Sequence, residues 1–531
     1  MRKLISIIVV AISLLHIASA QDQAKQAGFN VITINALQAQ TGFLASEWTE
    51  GRNTGEKGEY MSADYIASML QLYGIKPGGD FVRTYDPATR RQTRKQSYFQ
   101  NFSLMTTSPG DAQSLSAVIN EDGVLKNIQL EENADFIMSP SYPAGALTAP
   151  IIFVGYGYKD DKIGYNDFKD INVKGKIILR LAGIPGNDSG EAVGYASYRA
   201  AMAKDVIAYE LGAAGILEVD PSNIDGSAWT ASPDFLITSP SERGTRRARV
   251  RMSIPEPTIG KFAPKASVSA RVANKLLTGS GLDILKYKKG QSLKTIKGFN
   301  TNVTISTSIK TEYIKVRNVV GMIEGKNKEE VIVLGAHYDH LGIRDGYIYN
   351  GADDNASGTV GVMTIARAFA ASGEKPEKTI VFALWTGEEK GLLGSRYFVA
   401  NPTVPIESIK MNVNFDMISR YISDDTPNKV TMTYTSWCPE FKDITLKNLE
   451  TFNIKLSPDY QPSDDPPGGS DHRSFTAVKI PIMRFKPGHR EEYHSPADEV
   501  STLDWDIMQK IVQISYLNVY DLAYSDWKEK K

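Results

Sequence analysis

Four continuous apolar runs recur in the last 200 residues: VIVLGA (331–336), TIVFALW (379–385), MNVNF (411–415) and IPIMRF (480–485). Runs of this length without alternation suit strands buried on both faces. Segments of helical period separate them, for example SGTVGVMTIARAFAAS (357–372). Strands interleaved with helices predict an α/β fold: a mixed, mostly parallel sheet with helices on both faces and antiparallel strands at an edge. Alternating runs, NTNVTISTSI (300–309) and VRNVVGMIEG (316–325), open this block.

Upstream the pattern changes twice. ITINALQAQTGFLASEW (32–48) and MSADYIASMLQLYGI (61–75) read as helices around the turn-rich GRNTGEKGEY (51–60), and SYFQNFSLM (97–105) as a strand. A middle block holds the strand runs APIIFVGYG (149–157), KGKIILRLAG (174–183) and GILEVD (215–220), with a helix over YRAAMAKDVIAYELGAAG (198–215). The expected division is a leader at 1–20, an amino-terminal part at 21–110, a β-rich α+β insert at 111–290 and an α/β block at 291–531. SERGTRRARVRM (241–252) reads as a solvated loop.

The leader is two basic residues, an apolar stretch and Ala18-Ser19-Ala20, the secretory order, and its apolar core is too short to span a bilayer. The expectation is an exported protein, periplasmic or extracellular. No later segment reads as a membrane span. Sixty basic against 61 acidic residues leave no electrostatic case for nucleic acid. A single cysteine, Cys438, excludes an intrachain disulfide, so the core or bound metal must hold the fold. The oligomeric state stays open, a homo-oligomer included.

The polar residues that matter follow the apolar runs, where ligands of open α/β sheets gather. VIVLGA leads into His337, Asp339 and His340; TIVFALW into Glu388 and Glu389; MNVNF into Asp416; IPIMRF into His489, Tyr493 and His494. GADDNASG places Asp353 and Asp354 before a helix. Of six histidines, five lie between His337 and His494. Imidazole with carboxylate is the donor set of zinc, with manganese or cobalt as substitutes.

Six stretches, GAHYDHLG, GADDNASG, WTGEEKGLLGS, VNFDMIS, GGSDHRSF and EYHSPADE, occur in the order of the M28-class zinc peptidases, which include glutamate carboxypeptidase II and bacterial leucyl aminopeptidases. The chain resembles that family, and its middle block resembles a protease-associated (PA) insert. The resemblance implies two zinc ions: His337 and Asp416 on one, Glu389 and His494 on the other, Asp354 bridging them through a cis peptide to Asn355. It makes Glu388 the base that activates the metal-bridging water, and Tyr493 a hydrogen-bond donor to the tetrahedral intermediate. Asp339 and Asp498 are expected to orient His337 and His494. GGSDH is read as the pocket floor rather than a serine triad, and Arg473 and Arg484 as candidate carboxylate partners. The implied activity is an exopeptidase acting on peptides or protein termini, foremost an aminopeptidase. Its rivals are a glutamate-carboxypeptidase-like enzyme, a single-zinc glutaminyl cyclase and a transferrin-receptor-like binding protein.

Overall fold

The computed structural model describes residues 21–528 except 111–112, 139–144, 162–163, 185–194, 231–250, 256–262, 287–299, 422–424 and 489. The leader 1–20, most of the arginine-rich stretch 241–252 and His489 therefore lie outside the described residues. The described part divides into two compact units, 21–103 with 315–528 and 104–314.

In the first unit the apolar runs become neighbouring strands in the order Ile309–Ile323, Lys378–Trp385, Asn327–His337, Ile409–Asn414, Ile482–Lys486, Lys429–Thr435 and Ser457–Ser463. The four strands from Lys378–Trp385 to Ile482–Lys486 are mutually parallel, so they end together. Ile309–Ile323 and Lys429–Thr435 join them antiparallel on either side. Successive side chains point to opposite faces. Ile332, Leu334 and Ala336 pack under the helices Ile34–Leu44, Gly358–Ser372 and Trp505–Ala523. Val331 and Val333 pack on the other face with Trp385, Phe398 and Phe475. Both faces are covered, which is why no alternation was visible in these runs. The helix Lys57–Leu72 begins inside the stretch read as a turn.

The second unit holds an eight-stranded sheet whose core combines Phe153, Ile177, Leu179, Leu217 and Val268. The helix expected around 198–215 spans Tyr195–Glu210. Arg180 is fully buried here; its Nε donates to Glu218 Oε2 at 2.8 Å and its guanidinium also pairs with Asp205. The expected boundaries at 110 and 290 are displaced. Asn302–Thr307, assigned from sequence to the last block, pairs with Ser114–Glu121 and Gly145–Phe153, so this unit extends to Ile314. Among the described residues no helix is long and apolar enough to cross a membrane.

Candidate metal centre

His337 is the last residue of its strand, where the parallel ladder stops and the chain turns away. Its Nε2 lies 3.3 Å from Asp354 Oδ1, 3.7 Å from Asp416 Oδ1 and 4.0 Å from Glu388 Oε2. On the other side of Asp354, Oδ2 lies 3.0 Å from His494 Nε2, which is itself 3.3 Å from Glu389 Oε2. Asp354 thus faces a separate imidazole and carboxylate with each of its oxygens. Its peptide bond to Asn355 is cis. Donor atoms of His337, Asp354 and Asp416 lie within 4.8 Å of one another, and so do those of His340, Asp354 and Glu389.

His340 is the member the sequence left without a role. It is fully buried, its Nδ1 is 2.8 Å from Glu389 Oε1, and its ring packs where a side chain on Gly351 would have to sit. Its position three residues after His337 was the available signal. Asp354 is buried as well, whereas His494 keeps 30 % of its side chain exposed, so access to the cluster is from the His494 side. Met417 and His494 both hold positive φ, 59° and 55°. Non-glycine residues keep such conformations only where their surroundings enforce them.

Two expected contacts are corrected. The imidazole of His337 is held through Nδ1 by the backbone carbonyl of Asp339 at 3.1 Å; the Asp339 carboxylate instead accepts the Glu388 amide at 3.0 Å and the Thr54 hydroxyl at 2.9 Å. Asp498 does not serve His494; its oxygens accept the amides of Asp353 and Asp354. Both carboxylates found backbone N–H groups, which are fixed and need acceptors when buried. Asp353 turns away from the cleft, and its Oδ1 accepts both the amide and hydroxyl of Ser419. In the GGSDH loop, Ser470 accepts from Asn414 at 2.9 Å and its hydroxyl also contacts the Asp416 carboxylate. Arg473 donates to Asp465 and the Pro466 carbonyl, and Arg484 to the Pro467 carbonyl.

No pattern along the chain pointed to the shelf formed by residues 52–59. Arg52 and Thr54 come from the segment before the helix Lys57–Leu72 and Glu59 from its first turn, and together they grip the HYDH loop. Glu59 is buried and accepts hydrogen bonds from the Tyr338 and Thr386 hydroxyls and the Gly55 amide. Burial pushes its carboxyl up to about 7 against those bonds.

The adjacent acids Glu388 and Glu389 are driven apart. Burial raises the Glu388 carboxyl well above its usual range, and Glu389, Asp471 and Asp416 add to that against His337. Burial acts on Glu389 too, but His494 and His340 outweigh it and hold that carboxyl well below its usual range. For His494, burial opposes the cation while the Glu389 and Asp354 carboxylates push it up to about 10. The Tyr493 phenol is raised by burial and the same carboxylates, and its ring stacks on His494 at 3.8 Å. Environments that separate two acids in this way assign proton holder and anion.

Four carboxylates converging beside imidazoles repel one another, and a cation of charge two relieves them. The donor set, nitrogen and oxygen without sulfur, suits zinc. The Glu389 Oε1 atom, buried and without a hydrogen-bond partner of good geometry among the described residues, fits such a role.

Residues 318–518 match the model of peptidase family M28. The matched stretch contains every residue of the cluster. Over longer stretches the chain is 26 % identical over 329 residues to a probable glutamate carboxypeptidase VP8 of Zea mays, covering 59 % of this chain and 43 % of the relative. It is 30 % identical over 263 residues to a probable leucine aminopeptidase 2 of Trichophyton verrucosum, covering 45 % and 50 %. The chain thus matches about half the length of these curated relatives. The aminopeptidase from Aneurinibacillus sp. strain AM-1 shares the fold, with a TM-score of 0.53 at 18 % identity over 95 % of this chain and 97 % of that one.

Proposed function

We propose that the protein is an exported dizinc exopeptidase that removes residues from peptide amino termini, with the 104–314 unit as its PA insert. The observation that supports this best is the two-sided placement of Asp354, 3.3 Å from His337 and 3.0 Å from His494. His337 and Asp416 would hold one ion, Glu389 and His494 the other, and Asp354 both. When bound, the ions supply Lewis acidity that makes water a nucleophile near neutral pH.

The remaining chemistry belongs to the chain. Glu388 accepts the proton of the attacking water on its carboxylate and returns it to the departing amine; its raised affinity for protons suits that task. Tyr493 keeps its phenolic proton and donates it as a hydrogen bond toward the developing oxyanion. Both types of terminal specificity occur among the names of the relatives, and leucine aminopeptidases recur. Arg484, whose charge faces Asp416, is the feature that favours a carboxy-terminal reading instead.

The test is zinc per chain after equilibration and dialysis, together with cleavage of matched peptides that are free, amino-acetylated or carboxy-amidated. Close to two ions and a block by acetylation support the proposal. A block by amidation alone moves the activity to the carboxy terminus. One ion with cyclisation of amino-terminal glutamine would identify a cyclase.

A further inference from the structure

We infer that Arg52 is a positioning residue of the metal centre, a clamp that fixes the spacing between the two loops carrying His337 and Asp354. The inference rests on the dimetal reading above. Arg52 is fully buried, and its guanidinium donates almost entirely to backbone carbonyls. Nε donates to Tyr338 O at 2.7 Å, Nη1 to Asn350 O at 2.7 Å and to Leu44 O, and Nη2 to Gly351 O at 2.9 Å. Tyr338 follows His337 directly, and Gly351 stands three residues before Asp354. One rigid planar group therefore ties the start of one ligand loop to the start of the other.

The chemistry requires arginine. Its five N–H groups form a fixed fork, whereas a lysine ammonium is a point charge on a flexible stem. Burying a cation without a contact anion is unfavourable. Burial lowers the guanidinium to about 10, and the field of Asp498, Asp339, Asp354 and Glu389 offsets only part of that cost; the group stays charged near neutral pH, opposite in sign to the acids it helps to assemble.

The backbone is built around this placement. Glu50, Gly51 and Arg52 take left-handed φ values of 50°, 66° and 52° in succession. A Cβ on Gly51 would lie 2.5 Å from Tyr349 O and 2.8 Å from Gly342 O, so the chain presses against the paired strands Gly342–Arg344 and Tyr347–Tyr349. The Arg52 carbonyl in turn accepts the His340 amide at 3.1 Å. Three consecutive left-handed residues are retained where the surrounding structure over-determines them.

The test uses the full chain with Arg52→Lys and Arg52→Met. Zinc affinity is measured by competition with a chromophoric chelator, the ligand field by the visible bands of the cobalt-loaded protein, and folding by thermal melting without metal. We expect both variants to bind zinc about 10–100-fold more weakly with shifted cobalt bands, and Lys not to restore either. Wild-type affinity and spectrum in a folded variant, even one that melts lower without metal, would overturn the clamp alone. Full rescue by Lys would overturn the geometric role in favour of charge. Should Arg52→Met not fold, Arg52→Lys decides. A wild type that takes up no zinc would overturn the dimetal reading and the clamp with it.

Discussion

Asp498 holds Asp354 by its backbone, not through a histidine: Oδ2 accepts the Asp354 amide at 3.0 Å while Oδ1 accepts the Asp353 amide at 2.8 Å. One carboxylate thus fixes both residues of the acidic pair. Asp498→Asn would turn an amide NH₂ toward one of those N–H groups and leave it without an acceptor. The expected loss is about 1–3 kcal/mol of stability, read by denaturant unfolding of the zinc-free protein. Unchanged stability would mean the loop is held by other contacts.

Glu388→Gln keeps the shape of the side chain and removes its capacity for protons. The variant should retain zinc at the wild-type ratio while kcat falls by roughly 10²–10⁴. Metal content and turnover measured on one preparation separate this from a ligand loss. A variant with near-normal kcat would remove Glu388 from proton transfer.

Glu59 gives the fold a pH dependence of known sign. Its carboxyl rises from 4.5 to about 7 on folding, so its contribution is fully present below about 4.5, declines as pH increases, and is lost above about 7. Glu59→Gln cannot titrate. The wild type should therefore lose stability relative to Glu59→Gln between pH 4.5 and 7, with no further divergence above that. Parallel melting curves at four or five pH values would reveal it, and a constant difference would contradict the assignment.

Zinc uptake should be linked to protons. Without metal, the neighbouring carboxylates hold His494 protonated up to about 10, and ligation needs the neutral ring. At pH 7 binding must then release a proton from His494, and affinity should increase as pH rises toward 10. Calorimetry in two buffers of different ionisation enthalpy measures the release directly. Chelation should also lower the melting temperature, because zinc at 100-fold its Kd adds about 2.7 kcal/mol to the native state.

What could be read from sequence was set by the range of the signal. VIVLGA and TIVFALW announce strands without reference to anything distant, and the rule that ligands collect past strand ends brings His337, Glu389, Asp416 and His494 to one place. Partners could not be read in this way. Asp339 lies two residues from His337, yet its carbonyl, not its carboxylate, meets the ring. Asp498 sits in the same loop as His494 but serves amides more than 140 residues earlier. NVTIST alternates as any half-buried strand does, and only its pairing with 114–121 shows which sheet it joins. Arg52 has no periodicity and no repeat to mark it; its meaning lies in carbonyls brought to it by the fold.

The shelf that grips the HYDH loop is made early and what it grips is made late. Roughly 280 residues separate Glu59 from Tyr338, including the whole of the second unit. At ~5–20 residues per second of synthesis, the amino-terminal piece waits about 15–55 s for its partner to emerge. Through that interval the growing polypeptide contains no finished cleft, and one can form only when the two ends of the first unit have found each other. Assembly order thus delays the cleft until the stretch from Glu59 to His494 has been translated.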